Sequence, residues 1–542
     1  MTVTAARRVG LVLEAKSVPA DRVIIVGAGI GGLSAAVSLA ARGLQVTVLE
    51  RAHAPGGKLR ELNVGGHAVD SGPTVFTMRW VFDEIFEAAG AHLDDHLSLI
   101  RLDTLARHYW GDGSGLDLFT DTQRSADAIG HFAGPAEARG YLRFAARAEQ
   151  IYSLLDAPFI RQEPPGMLSL VRGIGLKQLP GFTSISPFTT LWRELGRYFR
   201  DPRLQQLFGR YATYCGASPF QAPATLMLIS HVERLGVWSV AGGMHALPRA
   251  FASLATRLGG QMRFDTEVRC ITTANGRASG VVLASGEHIS ADAVLLNADV
   301  GSLAVGHFGS DVKAAAAPVP PRKRSLSAMT WSMVAEAKGV PLDRHTVFFS
   351  DNYAAEFKAI QSGRLAAKPT VYVCAQDRGG HGDLATEHAV PQQAERLFLI
   401  VNAPATGDAQ SSTAAENEQC TKATFQTLAT CGLKLARQPG LTKMTTPADF
   451  NQLFPATGGA LYGMASHGWQ AAFRRPGARS RIPGLYLAGG SVHPGPGIPM
   501  AALSGRMAAS RIILDLASMR RLRPAAMLGG TSTPLVTTVS TG

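Results

Sequence analysis

An α/β fold built on a parallel, dinucleotide-binding core is predicted by three observations. Residues 23–50 read VIIVGAGIGGLSAAVSLAARGLQVTVLE: a strand, a glycine-rich turn, a helix and a second strand ending in an acid. Two later apolar runs, AVLLNAD at 293–299 and LYLA at 485–488, read as buried strands that rejoin this core. Between them, four β-rich runs from Arg322 to about Ala403 suggest an antiparallel sheet as a separate layer.

The first unit carries the most information. Val23–Val26 is a β-branched run suited to a buried parallel strand. Gly27, Gly29 and Gly32 form G-x-G-x-x-G around Ala28, with Gly31 as an extra small residue. The first glycine permits a tight turn, the second a close approach of backbone to a pyrophosphate, and the third close packing of helix on sheet. Leu33, Ala36, Val37 and Ala40 then give one apolar helix face, and Gly43 stops the helix. Glu50 ends the second strand, Val46–Leu49, where a carboxylate accepts from a ribose 2′-OH and repels a 2′-phosphate. A lone glycine motif is weak and would suit a βαβ unit whose glycines serve packing alone. Here strand, helix, second strand and acid fall in register.

Farther along, Pro55-Gly56-Gly57-Lys58 is a flexible, positive loop that follows the acid, and it is read as a phosphate neighbour rather than a plain surface turn. Residues 59–70 form a hairpin turning at Gly65-Gly66, followed by Ser71-Gly72-Pro73-Thr74, bare backbone fit to lie against a flat ring. TMRWVFDEIFEAAG predicts an amphipathic helix with Trp80, Phe82, Ile85 and Phe86 on or near its buried face. Short strands are expected at 105–120, turning at 111–115, then helices over 134–155 and 186–199. From Phe159 to Arg203 there are seven Arg/Lys against three Asp/Glu, interleaved with apolar residues. That pattern suits a surface dipping into an anionic bilayer, and equally a helical subdomain with a solvated basic face. Residues 207–236 are mostly helical, broken near Gly216 and Pro219, and could wall an apolar tunnel. Within them His231 and Glu233 are read as structural before catalytic.

A helix over 241–260 and a three-stranded run with turns at Asn275-Gly276 and Ser285-Gly286 lead back to AVLLNAD. After the antiparallel layer come a polar loop, 406–417, and a helix at 418–437. Residues 458–484 resemble a lid. Gly489–Gly497 is a loop with His493 as a shaping residue, and Pro499 opens a helix through Leu503 and Met507 to Leu514. A helix N-terminus carries a partial positive charge, and it would stabilise an anion that forms on a ligand ring placed against it.

Composition narrows the class. The 542-residue chain can bury a large core and hold two or more domains. Its charged fraction is 17%, below the usual figure of about 25%. A net charge of +12 points to an anionic ligand or membrane face, since no nucleic-acid motif or block of like charges accompanies it. The five scattered cysteines, without C-x-x-C, suggest reduced thiols in a cytosolic setting. The run VGLVL after Arg7-Arg8 is too short for a secretory signal, and the glycines in 23–41 argue against a membrane span. Membrane contact is therefore expected to be peripheral. No metal site is expected.

Together these motifs resemble the carotenoid desaturases, flavoproteins related to bacterial phytoene desaturase. The resemblance covers about 21–517 and rests on VIIVGAGIGGLSAA…VTVLER, APGGKLRE, DSGPTVFTM and LYLAGGSVHPGPGIPMAALSGRMAA. GPTVFTMRWVFDEIF and the run from Gly458 to Gly495 look most like the 1-hydroxycarotenoid 3,4-desaturases (hydroxyneurosporene or methoxyneurosporene dehydrogenases) of photosynthetic bacteria. The resemblance implies FAD in a Rossmann-like domain of the flavin amine oxidase and phytoene desaturase type. An antiparallel-sheet substrate domain is inserted in it, beside a helical subdomain. It places Gly27, Ala28, Gly29, Gly31 and Gly32 at the pyrophosphate, Glu50 on the adenosine ribose with Arg51 also among the cofactor residues, and Gly57 and Lys58 beside the phosphates. Pro73 and Thr74 approach the isoalloxazine, Val268 offers its backbone to adenine, and Gly490 nears the phosphate–ribitol chain. Ile498, Pro499 and Met500 lie at the flavin ring. The expected division is a disordered arm at 1–20 and an FAD-binding domain in three segments, 21–110, 240–303 and 441–517. Residues 111–239 form a helical, membrane-facing subdomain, 304–440 the sheet domain and 518–542 a disordered tail.

The reaction so implied converts CH–CH to C=C at C3–C4 of an acyclic hydroxycarotenoid, by hydride loss from C4 to the flavin and proton loss from C3. Delocalisation along the polyene lowers the need for a strong protein base, in keeping with the absence of an evident acid/base pair, so no catalytic residue is assigned. Oxygen or a membrane quinone would accept the electrons, at the cytoplasmic face of the inner, photosynthetic membrane. The rival readings are phytoene desaturase or another flavin oxidoreductase, such as an amine oxidase, and a non-catalytic isoprenoid-lipid carrier.

Overall fold

The computed structural model describes residues 20–164, 188–379, 394–409 and 412–522. Its core is a five-stranded parallel sheet in the order Leu485–Leu487, Ala293–Leu296, β1 (Arg22–Val26), β2 (Gln45–Leu49), Gln261–Arg263. Such a sheet is covered on both faces, and β1 shows how. Side chains alternate along a strand. Val23 and Ile25 pack under α1 (Ile30–Ala40) and the C-terminal helix Ile498–Leu522. Ile24 and Val26 pack under a three-stranded antiparallel sheet made of Val268–Ala274, Arg277–Leu283 and His288–Ser290.

α1 and the C-terminal helix cross at very close range. A Cβ on Gly505 would stand 1.9 Å from the Gly31 carbonyl oxygen, so only glycine fits there. Ser34 Oγ donates to the Ala502 carbonyl at 2.7 Å across the same seam. The last helix thus locks the first glycine-rich turn in place. It also runs past Leu514 to Leu522, into the stretch expected to be disordered.

The second layer is a seven-stranded sheet in the order Thr442–Thr445, Ser327–Ala335, Glu395–Ala403, Val371–Ala375, His345–Phe348, Thr104–Tyr109, Gly115–Phe119. The four runs read from sequence form its middle. The early strands at 104–119 complete one edge, where Thr104–Tyr109 pairs parallel with His345–Phe348. Sheet membership of this kind is a long-range property that alternation within a strand does not encode.

Helices Thr122–Ala133, Pro135–Leu155, Pro202–Gly209 and Leu228–Leu235 surround an aromatic cluster, with Phe199 stacked on Phe208 at 4.8 Å. The helix expected over 186–199 is shorter, Leu191–Leu195, with Thr190 as its cap. The middle of the basic, apolar stretch, 165–187, lies outside the described residues. The helix expected at 418–437 spans Ala414–Thr430 instead. A capping box between Thr413 and Glu416 starts it early, and Gly432, at φ +90°, ends it before the strand Leu433–Leu435. Among the described residues, no helix is long and apolar enough to cross a membrane.

Candidate functional site

All five parallel strands deliver their carboxyl ends to one cavity of about 740 Å³. That is where ligands sit in open α/β sheets. β1 leads into Gly27–Gly32, β2 into Glu50, and the strand 261–263 into Thr266 and Val268. The strand 293–296 leads into Asn297 and Asp299, and the strand 485–487 into Gly489 and Gly490. Gly27, Gly29, Gly31, Glu50, Arg51, Gly57, Lys58, Pro73, Thr74, Val268, Gly490, Ile498, Pro499 and Met500 all line it. Ala28 and Gly32 stand just behind, Ala28 fully buried and Gly32 against the turn. Residues more than four hundred positions apart are thus brought together.

The turn is shaped by contacts that leave room for backbone alone. A Cβ on Gly32 would meet the Gly27 carbonyl oxygen at 2.3 Å and Asn297 Nδ2 at 3.0 Å. Asn297 Nδ2 itself donates to that carbonyl at 3.1 Å. The Gly57-Lys58 loop lies directly against the turn, Gly56 N donating to Ala28 O at 2.9 Å. The Glu50 carboxylate accepts from Ala28 N at 2.6 Å and Ala52 N at 2.9 Å, which fixes it at the end of β2 with acceptor capacity to spare. Arg51 donates to the Gln452 and Leu453 carbonyls at the rim.

Two cations, the half-buried Lys58 and the buried Arg475, face this part of the cavity. Lys58 Nζ donates to the Leu461 carbonyl. Burial holds its pKa below the usual lysine range, with Asp299 acting upward and Arg475 downward. Arg475 donates to the carbonyls of Tyr462 at 3.0 Å, Gly490 at 3.1 Å and Met464 at 2.7 Å. Burial brings its pKa down to about 10. Among the described residues neither has a carboxylate within 4 Å in an ion pair. Buried charges are normally paired, so a glycine cradle, a helix N-terminus and two unpaired cations together fit a diphosphate, and the acid at Glu50 fits its ribose. Those features meet the requirements of a bound FAD.

Beyond Pro73 and Thr74 the cavity turns largely apolar. Leu155, Ile160, Leu226, Leu228, Ile229 and Val232 form one wall, and Phe398 and Ile400 of the large sheet the other. Of the 207–236 run expected to wall an apolar tunnel, Leu226, Leu228, Ile229 and Val232 line the cavity, while Arg210, Thr213 and Tyr214 add a polar patch. Trp469 and Phe473 line the cavity from the 458–484 segment, and Phe188, 77% exposed, packs its ring 5.4 Å from Trp469.

His493 Nε2 lies 2.9 Å from the carbonyls of Phe159 and Gln162 and does not line the cavity, so it shapes the loop. His231 packs on Tyr152 beside Arg234 and does not line it either. Asn297, Arg475 and Arg210 escaped the sequence reading. Asn297 had a signal, a polar residue ending an otherwise apolar strand. Arg475 had none, because its partners are carbonyls fixed only by the fold.

A family model described as flavin containing amine oxidoreductase matches residues 30–513. The hydroxyneurosporene desaturase of Rubrivivax gelatinosus is 52% identical over 95% of this chain and 98% of its own length. That of Cereibacter sphaeroides is 45% identical over 92% and 99%. The 1-hydroxycarotenoid 3,4-desaturase of a Flavobacterium is 30% identical over 91% and 99%. Among solved structures, an oxidoreductase from Methanosarcina mazei superposes with a TM-score of 0.55 at 15% identity, covering 90% of this chain and all of that one. A putrescine oxidase with bound putrescine gives 0.54 at 15%, covering 91% and 99%. At that identity the two structures speak for the fold alone.

Proposed function

This chain belongs to the flavin containing amine oxidoreductase family, and from that premise we propose that it desaturates the C3–C4 bond of acyclic 1-hydroxy or 1-methoxy carotenoids, such as 1-hydroxyneurosporene. The observation that carries the reading is a single cavity whose dinucleotide end opens into a long apolar passage between the helical part and the large sheet. Relatives acting on hydroxyneurosporene and on 1-hydroxycarotenoids support the substrate class. Bound FAD supplies the two-electron oxidation.

The chain's own residues bind, orient and exclude water. In this reading Gly27–Gly32 and the N-terminus of α1 take the pyrophosphate, Gly57 and Lys58 flank it, and Glu50, with Arg51 near, takes the ribose. Val268 faces adenine. Gly490 approaches the ribitol, and Pro73, Thr74, Ile498, Pro499 and Met500 frame the ring. The apolar walls hold the polyene dry and aligned, which is the main contribution such a site makes when charge spreads along the substrate itself. No acid/base pair is assigned. Oxygen or a membrane quinone is the proposed acceptor.

The proposed attachment is to a membrane surface, with substrate entering past Phe188, Trp469 and Phe473. An exposed aromatic beside the cavity mouth and a net charge of +12 support it.

The test is reconstitution of the full chain with FAD in liposomes containing 1-hydroxyneurosporene or phytoene, followed by product spectra. The expected result is a product with a longer conjugated system from the hydroxycarotenoid alone. Conversion of phytoene alone would overturn the 3,4-desaturation, and a colourless protein that takes up no FAD would overturn the enzyme reading.

Lys58 gives a second prediction. Burial lowers its pKa in the free protein, while a diphosphate beside it favours the ammonium form. FAD binding therefore takes up a proton once the pH exceeds the free-protein value, and affinity falls as pH rises through it. Fluorescence titrations across pH should show this slope in the wild type. Lys58→Met should bind about tenfold or more weakly at neutral pH, the loss of one charge-assisted hydrogen bond, and show a shallower alkaline profile. A wild-type profile no steeper than the variant's would refute the assignment.

A further inference from the structure

We propose that Arg210 recognises the oxygen on C1 of the substrate, an assignment that rests on the desaturase reading above. Arg210 opens the 3₁₀ turn Arg210–Cys215 and lines the apolar end of the cavity. A guanidinium offers five N–H donors. Among the described residues Arg210 makes no ion pair within 4 Å, and the hydrogen bond it does make, to the Tyr214 hydroxyl, is long at 3.4 Å. Its guanidinium carbon lies 5.2 Å from the Tyr214 ring centre and 5.7 Å from that of Tyr372.

The neighbouring carboxylate does not satisfy these donors. Glu233 is buried and already accepts from Tyr211 at 2.8 Å and Tyr214 at 2.5 Å. It stabilises the charge at a distance and fixes Tyr214, yet leaves the fork free. Donors of this kind on the wall of an apolar passage cost free energy unless something accepts from them. A polyene has no acceptor along its length. A hydroxyl or methoxy oxygen at its end is one.

The position fits the reaction. Tyr372 hydroxyl is 2.7 Å from Thr74 Oγ1 and 2.7 Å from His345 Nδ1. Thr74 belongs to the turn proposed to face the cofactor ring, so Arg210 sits one aromatic side chain away from the redox end. In the substrate the C1 oxygen is three bonds from C3. If C3–C4 lies at the ring, that oxygen falls close by, in the cavity that Arg210 and Tyr372 also line. The donor fork does not distinguish a hydroxyl from a methoxy oxygen, since both accept, but it rejects a hydrocarbon end. A site built to hydrogen-bond an oxygen discriminates strongly against the analogue that lacks it.

The test compares 1-hydroxyneurosporene, its methoxy analogue and neurosporene, by tryptophan-quenching binding and by turnover, in the wild type, Arg210→Met and Arg210→Lys. The wild type should favour both oxygenated ligands over the hydrocarbon by about a hundredfold or more. Arg210→Met should lose that preference to within a few-fold, with neurosporene binding unchanged or improved, and Arg210→Lys should keep part of it. Retained preference in Arg210→Met overturns the assignment. So does equal wild-type binding of neurosporene and the alcohol, a measurement that needs no variant to fold. A wild type that binds the alcohol selectively but desaturates none of the three defeats the desaturase reading and leaves the recognition role supported.

Discussion

Gly32→Val is expected to yield a folded but colourless protein. The added Cβ would stand 2.3 Å from the Gly27 carbonyl oxygen and 3.0–3.1 Å from the Asn297 side chain. Neither neighbour is free to yield. Gly27 follows directly from β1 in the middle of the parallel sheet, and Asn297 is anchored by its own donation to Gly27. The turn must therefore open, and overpacking of this kind costs about 1–3 kcal/mol. The cost falls on the cofactor cradle, so it appears as roughly a tenfold to hundredfold loss of FAD affinity. Flavin absorbance of the purified variant and its circular dichroism measure the two halves of this expectation. A variant with wild-type flavin content would mean that the third glycine does not limit the cradle.

Arg475→Met should be as damaging by a different route. Arg475 joins the carbonyls of Tyr462 and Met464, in a segment that lines the cavity, to that of Gly490 on the strand-485 loop. Removing it leaves three inward carbonyls without this donor, at about 1–3 kcal/mol for each group that stays buried and unsatisfied. The expected result is a drop of a few degrees in Tm, together with a smaller rise in Tm when FAD is added, because weaker binding contributes less stabilisation. Arg475→Lys should recover only part of both, since an ammonium lacks the planar fork that spans separated carbonyls. Calorimetric scans with and without FAD check all three statements. Unchanged FAD stabilisation in Arg475→Met would show that the clamp serves that segment alone.

What could be read in the sequence was local. The βαβ register, the hairpin at Gly65-Gly66 and the strand–loop–helix around Pro499 depend on neighbours a few residues apart, and they stand where spacing placed them. The residues proposed to hold the cofactor were legible as a set for the same reason, and they line one cavity or stand just behind it. Glycines forced by close backbone approach and an acid at a strand end leave marks in the order of residues. The parts that escaped are tertiary. Thr104–Tyr109 finds its parallel partner more than two hundred residues away. Arg475 binds backbone oxygens, which every residue carries. Arg210 sits in a run that reads as apolar wall, and its meaning comes from Tyr372 and Thr74, which only the fold brings near. The helix at 414–430 was misplaced for a simpler reason: the capping box at Thr413 and Glu416 lay inside a stretch judged by its polarity.

The crossing of Gly505 over Gly31 bears on how the protein is made. A ribosome delivers the glycine-rich turn more than 450 residues ahead of the helix that braces it, Ile498–Leu522. Chains emerge at about 5–20 residues per second, so for roughly twenty seconds or more the turn exists without its brace and without Gly489, and for over half of that time without Asn297 as well. The nascent chain consequently has no complete place for its cofactor until that helix has been made, and FAD loading is expected to come late.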